Sequence, residues 1–142
     1  MALVTDSMSI KADPETILGL LLDVATYPSW MNGYEKVEVM ESDEQGRPVL
    51  VKSYVAAMGQ RASHTVRYEY PAPGRYVYHL FESEVMTKYD FDCTITTDGD
   101  ASEVTVSQEL GLKWPMPQMV LTKMARKGVQ GMLAALKERA EA

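Results

Sequence analysis

The sequence predicts an α+β fold in which a curved antiparallel sheet wraps a long C-terminal helix and leaves an apolar pocket between them. Three observations carry this. From Gly33 to Leu112 the hydrophobic pattern alternates residue by residue, interrupted only by short turn-forming segments. Connections that short demand antiparallel neighbours, because a parallel pair needs a long crossover. After Trp114-Pro115-Met116-Pro117 the pattern changes to one uninterrupted amphipathic helix.

Residues 3–11 read as a first strand with Leu3, Met8 and Ile10 as its apolar members. A helix then starts at Ala12-Asp13-Pro14-Glu15. Asp13 caps the free backbone N–H groups, Pro14 suits the first helical position, and Glu15 favours the positive end of the helix dipole. Ile17, Leu18, Leu20, Leu21 and Leu22 make this a buried helix. It is expected to stop or bend before Tyr27-Pro28, since the residue ahead of a proline is pushed out of the α region.

Six strands follow, over about 34–42, 48–58, 61–70, 75–82, 85–96 and 103–112. Their breaks carry turn chemistry: Asp43-Glu44-Gln45-Gly46, Met58-Gly59-Gln60, Pro71-Ala72-Pro73-Gly74, Glu82-Ser83-Glu84 and Asp98-Gly99-Asp100. Alternation assigns faces. Ala62, His64, Val66, Tyr68 and Tyr70 oppose Ser63, Thr65, Arg67 and Glu69; Tyr89, Phe91, Cys93 and Ile95 oppose Lys88, Asp90, Asp92 and Thr94; Val104, Val106, Leu110 and Leu112 oppose Glu103, Thr105, Ser107 and Glu109. The strand 75–82 is ambiguous. A two-residue turn at Ser83-Glu84 pairs Tyr78 with Tyr89 and puts Tyr76, Tyr78 and Leu80 inside. A four-residue Pro-Ala-Pro-Gly loop would favour Val77, His79 and Phe81 instead. We adopt the first assignment, with a bulge or irregular loop near Pro73.

The last helix, about 117–140, spans on the order of 35 Å at about 1.5 Å per residue. Its expected apolar stripe is Val120, Leu121, Met124, Gly128, Met132, Ala135 and Leu136, with Lys123, Arg126, Lys127, Gln130 and Lys137 largely elsewhere. Gly128 and Gly131 are poor helix formers whose missing side chains leave space on a helix that faces a sheet.

With 142 residues, 46% hydrophobic and 24% charged, the chain is expected to form a single domain spanning 1–142 with a substantial core. A formal net charge of −6 argues against a general nucleic-acid binder, which needs a basic surface. Cys93 is the only cysteine, so no intramolecular disulfide or thiolate zinc site is available. The N-terminus shows no basic region followed by an apolar run, and no apolar stretch approaches the ~20 residues of a membrane span, so a cytoplasmic protein without integral membrane association is expected. A monomer or homodimer is expected. The 10 methionines fit either a Met-rich core or an adaptable pocket.

The order strand, helix, six strands, long helix resembles the START-like, or helix-grip, superfamily, and within it the bacterial polyketide cyclase/dehydrase-like (SRPBCC) group. The residues that carry the resemblance run through the chain. They are Asp13-Pro14-Glu15, Asp23 with Tyr27-Pro28-Ser29-Trp30, Tyr78 with Leu80, Val104 with Val106, the Pro115–Pro117 approach to the last helix, and Leu136-Lys137-Glu138-Arg139. The resemblance implies a seven-stranded antiparallel sheet around the last helix, with short helices after the first strand. The superfamily includes lipid carriers, cyclases, hormone receptors and chaperone-associated modules, so the resemblance implies the fold and leaves the function to the site. The chain departs at Phe91, where many relatives carry glycine, and the following pair reads Cys93 and Ile95.

His64 falls on the apolar face beside Tyr68 and Tyr70. It can polarise a ligand carbonyl or shuttle a proton as a catalytic group; the alternative is a core histidine bonded to a tyrosine or backbone carbonyl. Tyr68, Tyr76, Tyr78 and Tyr89 pair apolar area with hydroxyls, a good surface for an aromatic or steroid-like ligand. The residues expected to bind ligand are Trp30, Val66, Tyr68, Tyr78, Leu80, Tyr89, Phe91, Met124, Gly128 and Met132. Trp30 sits beside the pocket mouth by resemblance; the alternative is a packing anchor. Asp90, Asp92, Asp98 and Asp100 lack calcium-loop spacing, and no metal or cofactor is expected. Phosphate-binding glycine loops and nucleophile elbows are absent from the sequence.

These features favour binding of a hydrophobic small molecule (lipid, polyketide or isoprenoid-like). A polyketide aromatase/cyclase or dehydrase using the same cavity is one alternative, and a protein-interaction module of the quinone- or ribosome-associated START-like kind is another.

Overall fold

A computed structural model describes residues 1–57 and 59–142. Met58, which ends the strand expected over 48–58 and opens the expected turn Met58-Gly59-Gln60, lies outside the described residues. The first strand, β1 (Ala2–Ile10), leads into α1 (Pro14–Leu22), a 3₁₀ turn (Val24–Thr26) and α2 (Tyr27–Trp30). The strands β2 (Tyr34–Ser42), β3 (Pro48–Ala57), β4 (Gln60–Ala72), β5 (Arg75–Ser83), β6 (Met86–Asp98) and β7 (Ala101–Leu112) follow, and α3 (Gln118–Glu141) ends the chain. All seven strands form one antiparallel sheet in the order β1-β7-β6-β5-β4-β3-β2. Successive strands from β2 to β7 are neighbours, and only the helical link between β1 and β2 carries the chain from one edge to the other. No helix among the described residues is long and apolar enough to cross a membrane.

The helix start forms as expected: the Asp13 carboxylate accepts the Thr16 N–H at 2.8 Å, which holds its carboxyl below the usual carboxylate range. The end differs. α1 closes at Leu22, and Tyr27, directly ahead of Pro28, adopts α geometry (φ −51, ψ −41). Pro28 occupies the first turn of α2, where its missing N–H is not needed. The unfavourable conformation at Tyr27 is offset by burial. Its ring meets Trp30 and Tyr34 edge-on at 5.5 and 5.2 Å, and its hydroxyl donates to the Leu21 carbonyl.

In β1 the inward residues are Ala2, Val4 and Ile10, with Met8 half-buried, whereas Leu3 is 63% exposed and not an apolar member of the core face. The ladder with β7 decides this. Val4, Met8 and Ile10 lie opposite the inward residues Gln108, Val104 and Ser102, while Leu3 lies opposite Glu109. In β5 the inner face is Tyr76, Tyr78 and Leu80, as the first assignment expects. The register differs by two residues: Tyr78 pairs with Phe91, not Tyr89. A slip of two preserves the face, which is why alternation alone could be right about side and wrong about partner. The irregularity expected near Pro73 is present, with the β4–β5 register shifting between Glu69 and Ala72. Gly74 turns the chain there at φ +75, and a Cβ on it would lie 2.9 Å from the Ile95 carbonyl oxygen.

The last helix packs on β1, β7 and α1. Its buried residues are Leu121, Ala125, Val129, Leu133 and Leu136. The expected stripe therefore needs correction: Val120 is 46% exposed, and Met124, Gly128 and Met132 belong to an adjacent stripe. A helix gripped along one side of a sheet has two apolar faces, one in the packed core and one over the space where the sheet stands off.

Candidate functional site: a tyrosine-lined cavity between sheet and helix

That standoff is the candidate site. Between the inner faces of β3–β7 and the second stripe of α3 lies a cavity of about 700 Å³. Val55 and Ala56 come from β3, Ala62 and His64 from β4, Tyr76 and Tyr78 from β5, Tyr89 and Phe91 from β6, and Gln108, Leu110 and Leu112 from β7. Met124, Gly128, Gly131 and Met132 of α3 close it, and Tyr27, Met31 and Tyr34 contribute from the helical link and the start of β2. Among the described residues Met31, Met86, Met116, Met124 and Met132 line it, so the Met-rich composition is in good part a property of this wall. A Cβ built on Gly128 or Gly131 meets nothing within 4 Å, so neither glycine is demanded by close packing.

The aromatic wall is one connected array. Phe91 stacks on Tyr78 with ring centroids 4.6 Å apart and planes 4° from parallel, and Tyr76 contacts Phe91 at 5.7 Å. The Tyr78 hydroxyl donates to the Tyr89 hydroxyl at 2.8 Å. Burial raises the phenols of Tyr76, Tyr78 and Tyr89 above their ordinary range, so they stay neutral donors. His64 meets the Tyr89 ring edge-on at 5.4 Å, and burial lowers its imidazole from 6.5 to about 4. Among the described residues no ion pair supports a charged ring there, and the histidine is neutral at pH 7.

Several sequence-predicted site residues meet in this cavity: His64, Tyr78, Tyr89, Phe91, Met124, Gly128 and Met132. Trp30, Val66, Tyr68 and Leu80 lie off its wall. Trp30 is a packing anchor whose ring N–H donates to the Thr26 hydroxyl at 3.0 Å. Val66 and Leu80 are cross-strand partners, joined by Val51 on the other side of Val66. The ring of Tyr68 is taken up between Tyr76 (5.8 Å) and Tyr78 (5.1 Å). All four sit on or against the core, displaced along it from the open space. The alternation argument overlooked Gln108. It holds the inward position between Val106 and Leu110, is buried, and lines the cavity. The signal was available: a carboxamide at an inward position of an otherwise apolar strand face. His79 is outside, its ring nitrogen 2.9 Å from the Asp90 carboxylate. Cys93 is fully buried and its thiol is pushed up to about 12, so it is no nucleophile in the folded protein.

An open antiparallel sheet gripping a C-terminal helix, with an apolar cavity between them, defines a START-like, helix-grip protein. The chain belongs to the polyketide cyclase/dehydrase and lipid transport family, which it matches over residues 1–141. Among solved structures it is similar to a START superfamily protein from Mycobacterium smegmatis, at 24% identity and a TM-score of 0.94, covering 99% of this chain and 98% of that one. A protein from Thermus thermophilus is 20% identical with a TM-score of 0.85, covering 97% and 96% of the two chains. The Zhui aromatase/cyclase from Streptomyces sp. R1128 is 17% identical with a TM-score of 0.85, covering 98% and 93%. At these identities the likeness is one of fold. A comparison with curated proteins found no match.

Proposed function

We propose that this protein binds a hydrophobic small molecule, of lipid, polyketide or isoprenoid type, in the cavity between sheet and helix. The observation that supports it is the cavity itself: about 700 Å³, walled by stacked aromatic rings and methionines, with no carboxylate on its lining among the described residues. Space of that size and character holds a ligand of ordinary metabolite dimensions. Tyr78, Tyr89 and Phe91 form its aromatic side, and Met124, Gly128 and Met132 form its helical side. Native mass spectrometry and thermal unfolding after incubation with a fractionated lipid and polyketide extract test the reading. A bound mass with stabilisation is expected, about 2.7 kcal/mol at a ligand concentration one hundred times Kd. Gly128→Trp, which drives an indole into open space, abolishes both. A folded wild-type protein that takes up nothing from such mixtures overturns the reading.

His64 favours one second reading, ring closure of a polyketide chain. Its neutral imidazole lies on the wall of the same cavity and carries no ion-pair partner among the described residues. A shaped pocket with one proton-transfer group suffices for such chemistry. An unchanged product distribution from a poly-β-keto chain with His64→Ala refutes it.

A further inference from the structure

The cavity is apolar but not uniformly so. His64 on β4 and Gln108 on β7 are 8% and 9% exposed, and both line it. No side-chain hydrogen bond joins either to another described residue. Among those residues no fully enclosed side-chain nitrogen or oxygen lacks a partner, so the free polar atoms of His64 and Gln108 open into the cavity. Tyr78 and Tyr89 stand between them. Because Tyr89 accepts from Tyr78 at 2.8 Å, its own proton is left to donate elsewhere. The Tyr89 ring meets His64, and Gln108 lies opposite Phe91, which stacks on Tyr78. These four polar groups therefore lie on the successive neighbouring strands β4, β5, β6 and β7. Lys127 is the only charged lining residue among those described, and it is exposed on α3.

Resting on the binding reading above, we infer that the buried end of the ligand is uncharged and carries oxygen, as a ketone, enol or phenol, held by Gln108, Tyr89 and His64. The carboxamide N–H groups, the Tyr89 hydroxyl and the imidazole N–H donate to a carbonyl. The carboxamide oxygen and the unprotonated ring nitrogen accept from a hydroxyl. Polar groups left unpaired on an apolar wall favour a ligand that pairs with them over one of equal shape that does not. An ionised group at the same depth meets no counter-ion, because burial keeps His64 neutral, and it is confined to the mouth beside Lys127.

Three rigid probes decide this: anthracene with an acetyl, an isopropenyl or a carboxylate group at each end. The isopropenyl group copies the acetyl shape without oxygen. The dicarboxylate cannot keep both charges at the mouth. Calorimetry on the wild-type protein at neutral pH should give the diketone about tenfold tighter binding than the diisopropenyl compound, with the dicarboxylate at least about one hundredfold weaker than the diketone. The diketone's roughly tenfold advantage over the diisopropenyl compound should shrink by about threefold in Gln108→Met and by a similar factor in His64→Leu. Dicarboxylate binding equal to that of the diketone overturns the uncharged end while leaving the cavity's binding role intact. Equal binding of diketone and diisopropenyl compound overturns the polar anchor in the same way. Failure of all three to bind overturns this inference, while uptake from the lipid and polyketide extract decides the binding reading on its own. The wild-type comparison needs no variant and stands if either substitution prevents folding.

Discussion

Acidification should destabilise this protein through His64 before its carboxylates titrate. The imidazole is buried on a wall without a neighbouring carboxylate among the described residues, and burial lowers its proton affinity from 6.5 to about 4. The unfolded chain takes up that proton near 6.5 and the folded chain only near 4, so between these values the unfolded state binds more protons and stability falls as pH falls. The full stability is present above 6.5 and the loss is complete at about 4. At about 1.4 kcal/mol per pH unit this amounts to about 3 kcal/mol, a large part of a small domain's total stability. Urea unfolding of wild type and His64→Gln across this range measures it. Carboxylates with lowered values, such as Asp13 and Asp43, contribute equally to both proteins, and the difference between the curves isolates the histidine. The wild type should lose about 3 kcal/mol relative to the variant between neutral pH and about 4. Parallel curves, or a His64 ring resonance titrating near 6.5, would refute the picture of a dry, neutral cavity wall.

Three further outcomes follow from the local geometry. Gly128→Ala and Gly131→Ala should each raise the urea midpoint, by about 1 kcal/mol in stability, because a Cβ at either position meets nothing within 4 Å and glycine is a poor helix residue. Gly74→Ala should lower it by about 1–2 kcal/mol, since φ is +75 and the new Cβ would press on the Ile95 carbonyl; an unchanged midpoint would count against the tight turn. Cys93 should resist a disulfide reagent in the native protein and react fully once denaturant unfolds it, because its thiol is buried and pushed up to about 12.

Membership of a family that spans cyclases, dehydrases and lipid transport sets the fold and leaves the chemistry to the cavity. Phe91 is part of that cavity. The ring lies in the cavity wall, stacked on Tyr78 at 4.6 Å, and fills volume that a glycine would leave open.

What the amino-acid sequence determined by itself is what depends on neighbours along the chain. Alternation placed His64, Tyr76, Tyr78, Tyr89 and Phe91 on the inner face, because successive strand residues must point to opposite sides. The Asp13-Pro14-Glu15 start was legible for the same reason: a cap acts within its own turn. Tertiary structure alone decided the quantities that depend on how elements meet. The Tyr78–Phe91 pairing differs by two residues from the one a tight turn implies, and no period-two pattern can detect such a slip. The ladder with β7 turned Leu3 outward. Most of all, the last helix rests on β1, β7 and α1, and the space left over the sheet is lined by only some of the inward residues. Val66, Tyr68 and Leu80 lie off that space, whereas Tyr78, Tyr89, Phe91 and Gln108 line it, although all share one face of one sheet. Facing inward is a property of the strand; facing empty space depends on where the helix lies.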